Sequence, residues 1–287
     1  MQNQTSPLIL TFGASDPVGA IGIQADLATF SAFGCHGLSV ATALLIGDTA
    51  RVEDIQEVEP DWVSDQARVL LEDMAVAAIK IGALGGVEHI TAIAEIVSDY
   101  PDVPLILDPF ISALPQQGVA GEDMLMALRQ LLVPQTTLLV LSPLELERLA
   151  ETWRDADDSM LADIDYLLAL GCEYVLVTGT AHEGDGALRA NTLFDAGGVV
   201  RHDAWQHLPG VFSGAGGTLS AALTALLAQD DDVARAVPAA QQYTAGALAH
   251  AQRFGMGKLV PNRFFQHHIP AGQAAQPTST HHLKTCS

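Results

Sequence analysis

The chain has 287 residues, enough for one large α/β domain or two ordinary ones. Its formal net charge of −21 argues against nucleic acid or an anionic membrane as a partner, because both require a positive surface. The apolar run at 38–47 has about half the length of a membrane span, and the N-terminus carries neither a basic region nor a cleavage site. We therefore predict no membrane segment and no signal peptide.

Strand-length apolar runs recur through the first two thirds of the chain. They lie at 8–13, 38–45, 76–82, 103–109, 137–143 and 174–179. Helical patterns separate them, at 22–33, 60–73, 87–99, 121–132, 144–152 and 159–170. Continuous apolar runs are typical of strands buried on both faces, and their alternation with helices predicts a parallel sheet with right-handed crossovers.

The last third of the chain predicts a different arrangement. Two shorter strands, 191–196 and 199–205, flank Gly197-Gly198 and are typical of an antiparallel hairpin at the edge of the sheet. Two helices follow, at 215–228 and 233–253. We find no internal linker, so we predict a single domain over 1–265. The polar tail, 266–287, is expected to be disordered, and its two His-His pairs favour a loose surface segment over a metal site.

The cysteines and lysines indicate where the protein works. Cys35, Cys172 and Cys286 are far apart and unpatterned, which indicates a reducing compartment and predicts a cytoplasmic protein. The chain has only three lysines against 34 acidic residues. This composition is typical of adaptation to high salt, although an ordinary acidic cytosolic enzyme also fits it.

Polar or glycine-rich residues follow nearly every predicted strand, where ligands bind in open parallel sheets. The most distinctive group is the turn formed by Gly214, Ala215, Gly216 and Gly217, which opens an apolar helix. Free backbone amides at a helix start bind anions, and glycine lets the backbone approach an oxyanion closely. A tight turn made for helix packing is the alternative interpretation.

Three acids stand near these strand ends. Asp108 ends a buried strand and Glu147 follows the next strand, so the pair is suited to holding Mg²⁺ through water. Helix capping or an ion pair with Arg148 is the alternative for these two acids. Asp26 lies one turn into the first helix, where it either stabilises the helix or faces a ligand.

The order of these motifs resembles the hydroxymethylpyrimidine/phosphomethylpyrimidine kinases of thiamine biosynthesis, which belong to the ribokinase-like superfamily and have vitamin B6 kinases as close relatives. The resemblance covers about residues 7–265. Its specific segments are LTFGASDPVGAIGIQADLATFSAFGCHGLSVATAL and GAGGTLSAAL; the supporting ones are IKIGAL, ILDPF, LVTG and GKLVPNRFF. It implies a three-layer α/β sandwich that uses ATP and Mg²⁺ on a small heteroaromatic substrate, and a homodimer.

The resemblance also assigns roles to individual residues. The turn 214–217 would bind the transferring phosphoryl group, and Asp108 and Glu147 would act on Mg²⁺ and the phosphates. Thr178 and Gly179 would lie near the nucleotide. The residues implied for the pyrimidine site are Gly13, Asp26, Gly47 and Ala83.

Three departures from the family pattern bear on function. Gly217 stands where the family has a cysteine and the wider superfamily an aspartate that acts as catalytic base. Gly47 stands where a glutamine reads the pyrimidine edge, and Leu144 where an asparagine is found. The leading prediction is a kinase with impaired turnover, since a lost base costs ~10²–10⁴-fold without abolishing transfer. The alternatives are a non-catalytic ligand-binding protein of the same fold, or a kinase for another heteroaromatic alcohol such as a B6 vitamer.

Overall fold

The computed structural model describes residues 6–113, 119–150, 159–181 and 188–267. The strands are β1 (Leu8–Ser15), β2 (His36–Gly47), β3 (Val52–Glu57), β4 (Ala78–Ile81), β5 (Leu105–Leu107), β6 (Leu138–Leu141), β7 (Tyr174–Ala181), β8 (Leu188–Asp195) and β9 (Gly198–Gln206). The helices are α1 (Gly22–Ala32), α2 (Pro60–Asp73), α3 (Val87–Ser98), α4 (Val119–Ala127), α5 (Pro143–Ala150), α6 (Met160–Ala169), α7 (Ala215–Leu227) and α8 (Val233–Ala249).

The nine strands form one sheet in the order β3-β2-β1-β4-β5-β6-β7-β8-β9. The pairs from β2 through β7 are parallel, and β7, β8 and β9 are joined antiparallel. The predicted mostly parallel sheet with an antiparallel edge hairpin is therefore confirmed.

Two hydrophobic clusters hold the helices on opposite faces of this sheet, because successive strand residues point to opposite sides. In β1, Leu10 and Phe12 join the cluster that contains residues of α2 to α6. Ile9, which directly precedes Leu10, joins the cluster formed with α1, α7 and α8. The result is the expected three-layer sandwich. Within the described ranges, no helix is long and apolar enough to cross a membrane.

The sequence did not predict the strand β3, and some of the predicted segments lie outside the described residues. β3 was not predicted; it pairs antiparallel with the end of β2 and forms a second antiparallel edge. All six of its residues are exposed, so it carries no buried apolar pattern that would reveal it. Most of the predicted tail lies outside the described residues, and so does the end of the helix predicted over 144–152.

Candidate active site

The parallel strands end at one edge of the sheet, and the start of α7 lies there. Asp108, directly after β5, donates its backbone N–H to the carbonyl of Ile81 at the end of β4. Its side chain reaches α7, where the Ser220 hydroxyl donates to Asp108 Oδ2 at 2.6 Å. The sheet edge and the helix N-terminus therefore form one site, as expected for an open parallel sheet.

The glycine turn (Gly214–Gly217) has a closed side at Gly214. This residue is the N-cap of α7 and adopts a left-handed conformation with φ of 85°. A Cβ on Gly214 would lie 1.8 Å from the carbonyl oxygen of Ala20, so a side chain cannot fit without moving the backbone. No side chain caps this helix end in the described part of the chain, so its first amides remain available to an anion.

The other side of the turn is open. A Cβ placed on Gly216 or Gly217 would meet no heavy atom of the described residues within 4 Å. Neither residue has a positive φ. Position 217 therefore has room for a side chain, and nothing in the backbone requires glycine there.

A short loop, residues 16–21, packs against the closed side of the turn. The Asp16 carboxylate accepts hydrogen bonds from the amides of Val18, Ala20 and Ile21 at 2.8–3.0 Å. These bonds fix the path of the loop and so place the Ala20 carbonyl against Gly214. Asp16 has a positioning role that sequence reasoning missed, although an aspartate two residues before a turn amide is a common signal of an Asx turn.

The Asp108 carboxylate contacts α7 through the Ser220 hydroxyl. Burial raises its pKa, the carboxylates of Glu145 and Asp26 contribute to the rise, and Lys80 and the Ser220 hydroxyl oppose it. Among the described residues only Oδ2 has a hydrogen-bond donor. The other oxygen is free to serve a cation, which fits the preference of Mg²⁺ for one or two carboxylates with water and phosphate.

The metal role of the second predicted acid, Glu147, stays a prediction. Glu147 is exposed on α5, whereas Glu145 is buried and close enough to influence Asp108. Residues two apart point to nearly opposite faces of a helix, which separates the two acids. Glu145 accepts hydrogen bonds from the amide and hydroxyl of Ser142, so its position is that of a capping box. Glu145 thus influences Asp108 from the buried side of α5, whereas Glu147 lies on its exposed side.

Asp26 is buried and engaged by neighbouring side chains. Its carboxylate contacts the Lys80 ammonium at 3.1 Å and accepts a hydrogen bond from Thr11 Oγ1 at 2.8 Å. Lys80 is also buried, so the pair joins α1 to β4 inside the protein. The pair orients Lys80 toward the Asp108 end of the site, and the direct contact of Asp26 with a ligand stays a prediction.

The other residues predicted for the pyrimidine site occupy two places. Gly13 ends the regular part of β1, and Ala83 follows β4 in a small apolar pocket shared with Phe110. Phe110 has φ of 48°, an unusual conformation for a bulky residue. Gly47 lies in the hairpin between β2 and β3, where a Cβ would be 2.8 Å from the carbonyl oxygen of Arg51. This hairpin is therefore closed against a side chain at position 47.

Thr178 and Gly179 lie at a bulge in β7. The Thr178 hydroxyl donates to the carbonyl of Leu141, and the Gly179 amide donates to Asn191 Oδ1 at 2.9 Å. Gly179 has φ of 72°, and a Cβ on it would meet nothing within 4 Å in the described structure. The bulge leaves an open backbone surface at the same sheet edge as the glycine turn.

Arg263 is a further residue that sequence reasoning missed. Its buried guanidinium donates to the carbonyls of Gly19 and Ala20 and to the hydroxyl of Thr218. It therefore contacts both the loop 16–21 and the start of α7. Arg263 lies in the supporting segment GKLVPNRFF, but the spacing of that segment does not show which parts of the chain the arginine contacts.

Comparisons with known proteins agree with this geometry. The family model for phosphomethylpyrimidine kinase matches residues 16–262. The hydroxymethylpyrimidine/phosphomethylpyrimidine kinase of Salmonella typhimurium is 34% identical over 250 residues, which cover 87% of this chain and 93% of that protein. The phosphomethylpyrimidine kinase of Clostridium difficile aligns with a TM-score of 0.71 and 27% identity, over 85% of this chain and all of that one.

A pyridoxal kinase from Bacillus subtilis, solved as an ADP complex, shares the fold. It aligns with a TM-score of 0.79 over 92% of this chain and 99% of that chain, at 24% identity. These likenesses confirm the predicted ribokinase-like sandwich. Taken with the family model and the identity to the Salmonella enzyme, they show that the chain belongs to the phosphomethylpyrimidine kinase family.

Proposed function

We propose that this protein transfers the γ-phosphoryl group of ATP to a hydroxymethylpyrimidine or phosphomethylpyrimidine, the reaction for which its relatives are named. The observation that carries the proposal is the uncapped start of α7, joined to Asp108 through Ser220. Backbone donors and an adjacent carboxylate are the combination that phosphoryl transfer requires, since the reaction depends on positioning and on charge stabilisation.

The residues present fit both ATP and Mg²⁺. In the proposed complex the amides at the start of α7 donate to the phosphate oxygens, and the open space at Gly216 and Gly217 accommodates the transferring group. Asp108 is the proposed magnesium ligand, with Glu147 acting through water from the exposed side of α5. Bound Mg²⁺ would neutralise charge on the phosphate oxygens.

We propose that residues at the ends of different strands bind the nucleotide and the acceptor. We assign Thr178 and Gly179 at the β7 bulge to the nucleotide. Gly13, Ala83 and the neighbouring apolar pocket are assigned to the ring of the acceptor, with Asp26 beneath them. Gly47 completes this set from the β2–β3 hairpin, without a side chain that could read the edge of a pyrimidine.

Position 217 is a glycine and supplies no side chain that could accept the proton of the acceptor. In the transfer, the acceptor oxygen forms a bond to the γ-phosphorus, and the bond from that phosphorus to the ADP oxygen breaks. When the acceptor is the hydroxymethyl group, its hydroxyl proton is released. We propose that water takes this proton, so that turnover is slow while nucleotide binding is intact. The cost of a missing base is typically ~10²–10⁴-fold.

A coupled assay of ADP release tests the proposal. Hydroxymethylpyrimidine, its monophosphate and pyridoxal should each be supplied with Mg-ATP, and product formation followed by mass spectrometry. We expect phosphorylation of a pyrimidine. Phosphorylation of pyridoxal alone would assign the protein to the vitamin B6 kinases. This is the second candidate because Gly47 has no side chain that could read the edge of a pyrimidine. Nucleotide binding without any product would contradict the kinase assignment and favour a binding protein.

We further propose that the protein is a cytoplasmic homodimer. Its support is a group of exposed apolar side chains on neighbouring elements, since such patches often mark protein interfaces. They are Leu44 and Ile46 on β2 and Trp62 and Val69 on α2. Light scattering should give twice the chain mass of 30.2 kDa, and a monomer at micromolar concentration would contradict the proposal.

A further inference from the structure

Arg263 is an unusual buried charge. Its residue is 5% exposed, and in the described part of the chain its guanidinium donates to no carboxylate. Burial lowers the pKa of this group, while the more distant carboxylates of Asp26 and Asp16 favour its charged form. Burying a cation among neutral acceptors costs folding free energy unless every donor is well placed. Retaining such a group calls for an explanation other than stability.

One edge of the guanidinium controls the glycine turn through Thr218. Arg263 Nε donates to Thr218 Oγ1 at 3.2 Å, and that hydroxyl donates its own hydrogen to the carbonyl of Gly214 at 2.8 Å. The Gly214 carbonyl belongs to the same peptide group as the Ala215 amide. Fixing this carbonyl therefore fixes the direction of the first amide that faces an anion.

The opposite edge holds the loop 16–21. Arg263 Nη1 donates to the carbonyl of Gly19 at 3.1 Å, and Nη2 donates to the carbonyl of Ala20 at 2.7 Å. The Ala20 carbonyl is the group that lies against Gly214. One side chain therefore sets the spacing between the loop and the turn.

The main chain of Arg263 is anchored independently of its side chain. The Tyr243 hydroxyl on α8 donates to the carbonyl of Arg263 at 2.6 Å. The amide of the preceding residue, Asn262, donates to the carbonyl of Ala247 at 3.0 Å. The backbone of Arg263 is thus fixed to α8, and its guanidinium extends to the loop 16–21 and to the glycine turn.

We propose that Arg263 is a positioning residue that fixes the loop 16–21 against the glycine turn and so aligns the acceptor with the phosphoryl group. The inference rests on the proposed function, since alignment matters only if transfer occurs. Arg263 acts through the loop and the turn and contacts neither the nucleotide nor the acceptor. A lysine cannot replace the arginine, because a single ammonium lacks the planar fork that reaches three separate acceptors.

Turnover and chemical rescue test this role. Arg263→Ala should lower kcat by about 10²-fold, because misplacing reacting groups by about 1 Å costs that much, while the KM for ATP changes less than threefold. Guanidinium at tens of millimolar should restore kcat at least tenfold, with no recovery of the melting temperature, and NaCl should not. Arg263→Lys should remain impaired by about tenfold. The matched control is Arg129→Lys, whose Nη1 also donates to a backbone carbonyl, that of Leu149, away from the site.

Hydrogen exchange separates this inference from the proposed function, because it needs no turnover. In Arg263→Lys the amides of 213–219 and of 16–21 should exchange faster, and the rest of the protein should not. If wild type phosphorylates nothing but this pattern appears, the kinase assignment fails, and what stands is that Arg263 fixes the loop 16–21 against the glycine turn. Arg263→Ala with unchanged kcat, or with a loss that follows global unfolding and resists guanidinium, would overturn the role.

Discussion

The two sides of the glycine turn carry the same residue type for different reasons. At Gly214 the backbone is left-handed, and the Ala20 carbonyl occupies the place of a Cβ. At Gly217 the backbone is helical, and the space around a Cβ is empty of described atoms. The fold therefore demands glycine on the closed side and merely tolerates it on the open side.

This difference separates anion binding from proton transfer. In the proposed complex the closed side shapes the amides that face a phosphate, and this side has the geometry that the proposal requires. The open side is the position where the family resemblance predicts a catalytic cysteine or aspartate, and it holds no side chain. Since nothing in the fold excludes a side chain at 217, the impairment we propose should be reversible by a single substitution.

The largest effect is expected on the closed side. Gly214→Ala forces the new Cβ against the Ala20 carbonyl and into a strained φ, which should destabilise the fold by about 2–4 kcal/mol. The turn must open, so affinity for Mg-ATP should fall at least 10²-fold. Titration calorimetry below the melting temperature measures the affinity, and scanning calorimetry through the transition measures the loss of stability. Unaltered ATP affinity would show that the turn does not bind the nucleotide.

The open side should respond in the opposite direction. Gly217→Asp or Gly217→Cys supplies a proton acceptor without a steric clash, and kcat should rise by about 10²-fold with little change in ATP affinity. Steady-state kinetics with the preferred pyrimidine measures the gain. A folded variant with no gain on any pyrimidine or pyridoxine would mean that position 217 is not on the proton path.

Asp108 connects the open side to the sheet through Ser220, and its removal should separate function from stability. Asp108→Asn should weaken Mg-ATP binding by about tenfold, the value of one charge-assisted contact. The same variant should raise the melting temperature of the free protein, because burial raises the pKa of Asp108.

The sign follows from linkage. A carboxyl with a higher pKa in the folded state favours folding when protonated and costs free energy when ionised. The gain from Asp108→Asn should therefore be present at neutral pH and disappear as the pH falls below the ordinary range of an aspartate. A variant less stable than wild type at pH 7, with Mg²⁺ dependence unchanged, would assign Asp108 a purely structural role.

The smallest effect is expected from Gly217→Ala. Alanine near the start of α7 reduces the entropy of the unfolded chain and meets no neighbour, so it should stabilise the protein by about 0.5–1 kcal/mol. Urea unfolding measures this gain. A loss of stability would indicate that the open side is narrower than the structure shows.

The sequence predicted the parts of the molecule that bury apolar runs. The central strands and most helices follow from such runs, and the glycine turn follows from its composition. β3 escaped prediction because its six residues are exposed and lack a buried face. Glu147 was preferred to Glu145 on motif position, whereas helix geometry buries Glu145 and caps α5 with it. Arg263 escaped because its contacts join segments about 240 residues apart.

The most direct test of the account compares one substitution on the two sides of the turn. Mg-ATP affinity should be measured by calorimetry for Gly214→Ala and Gly217→Ala under identical conditions, below both melting temperatures. We expect the first variant to lose at least 10²-fold in affinity and the second to stay within about threefold of wild type. Equal affinities for the two variants, whether both retained or both lost, would contradict the claim that the closed side alone shapes the phosphate site.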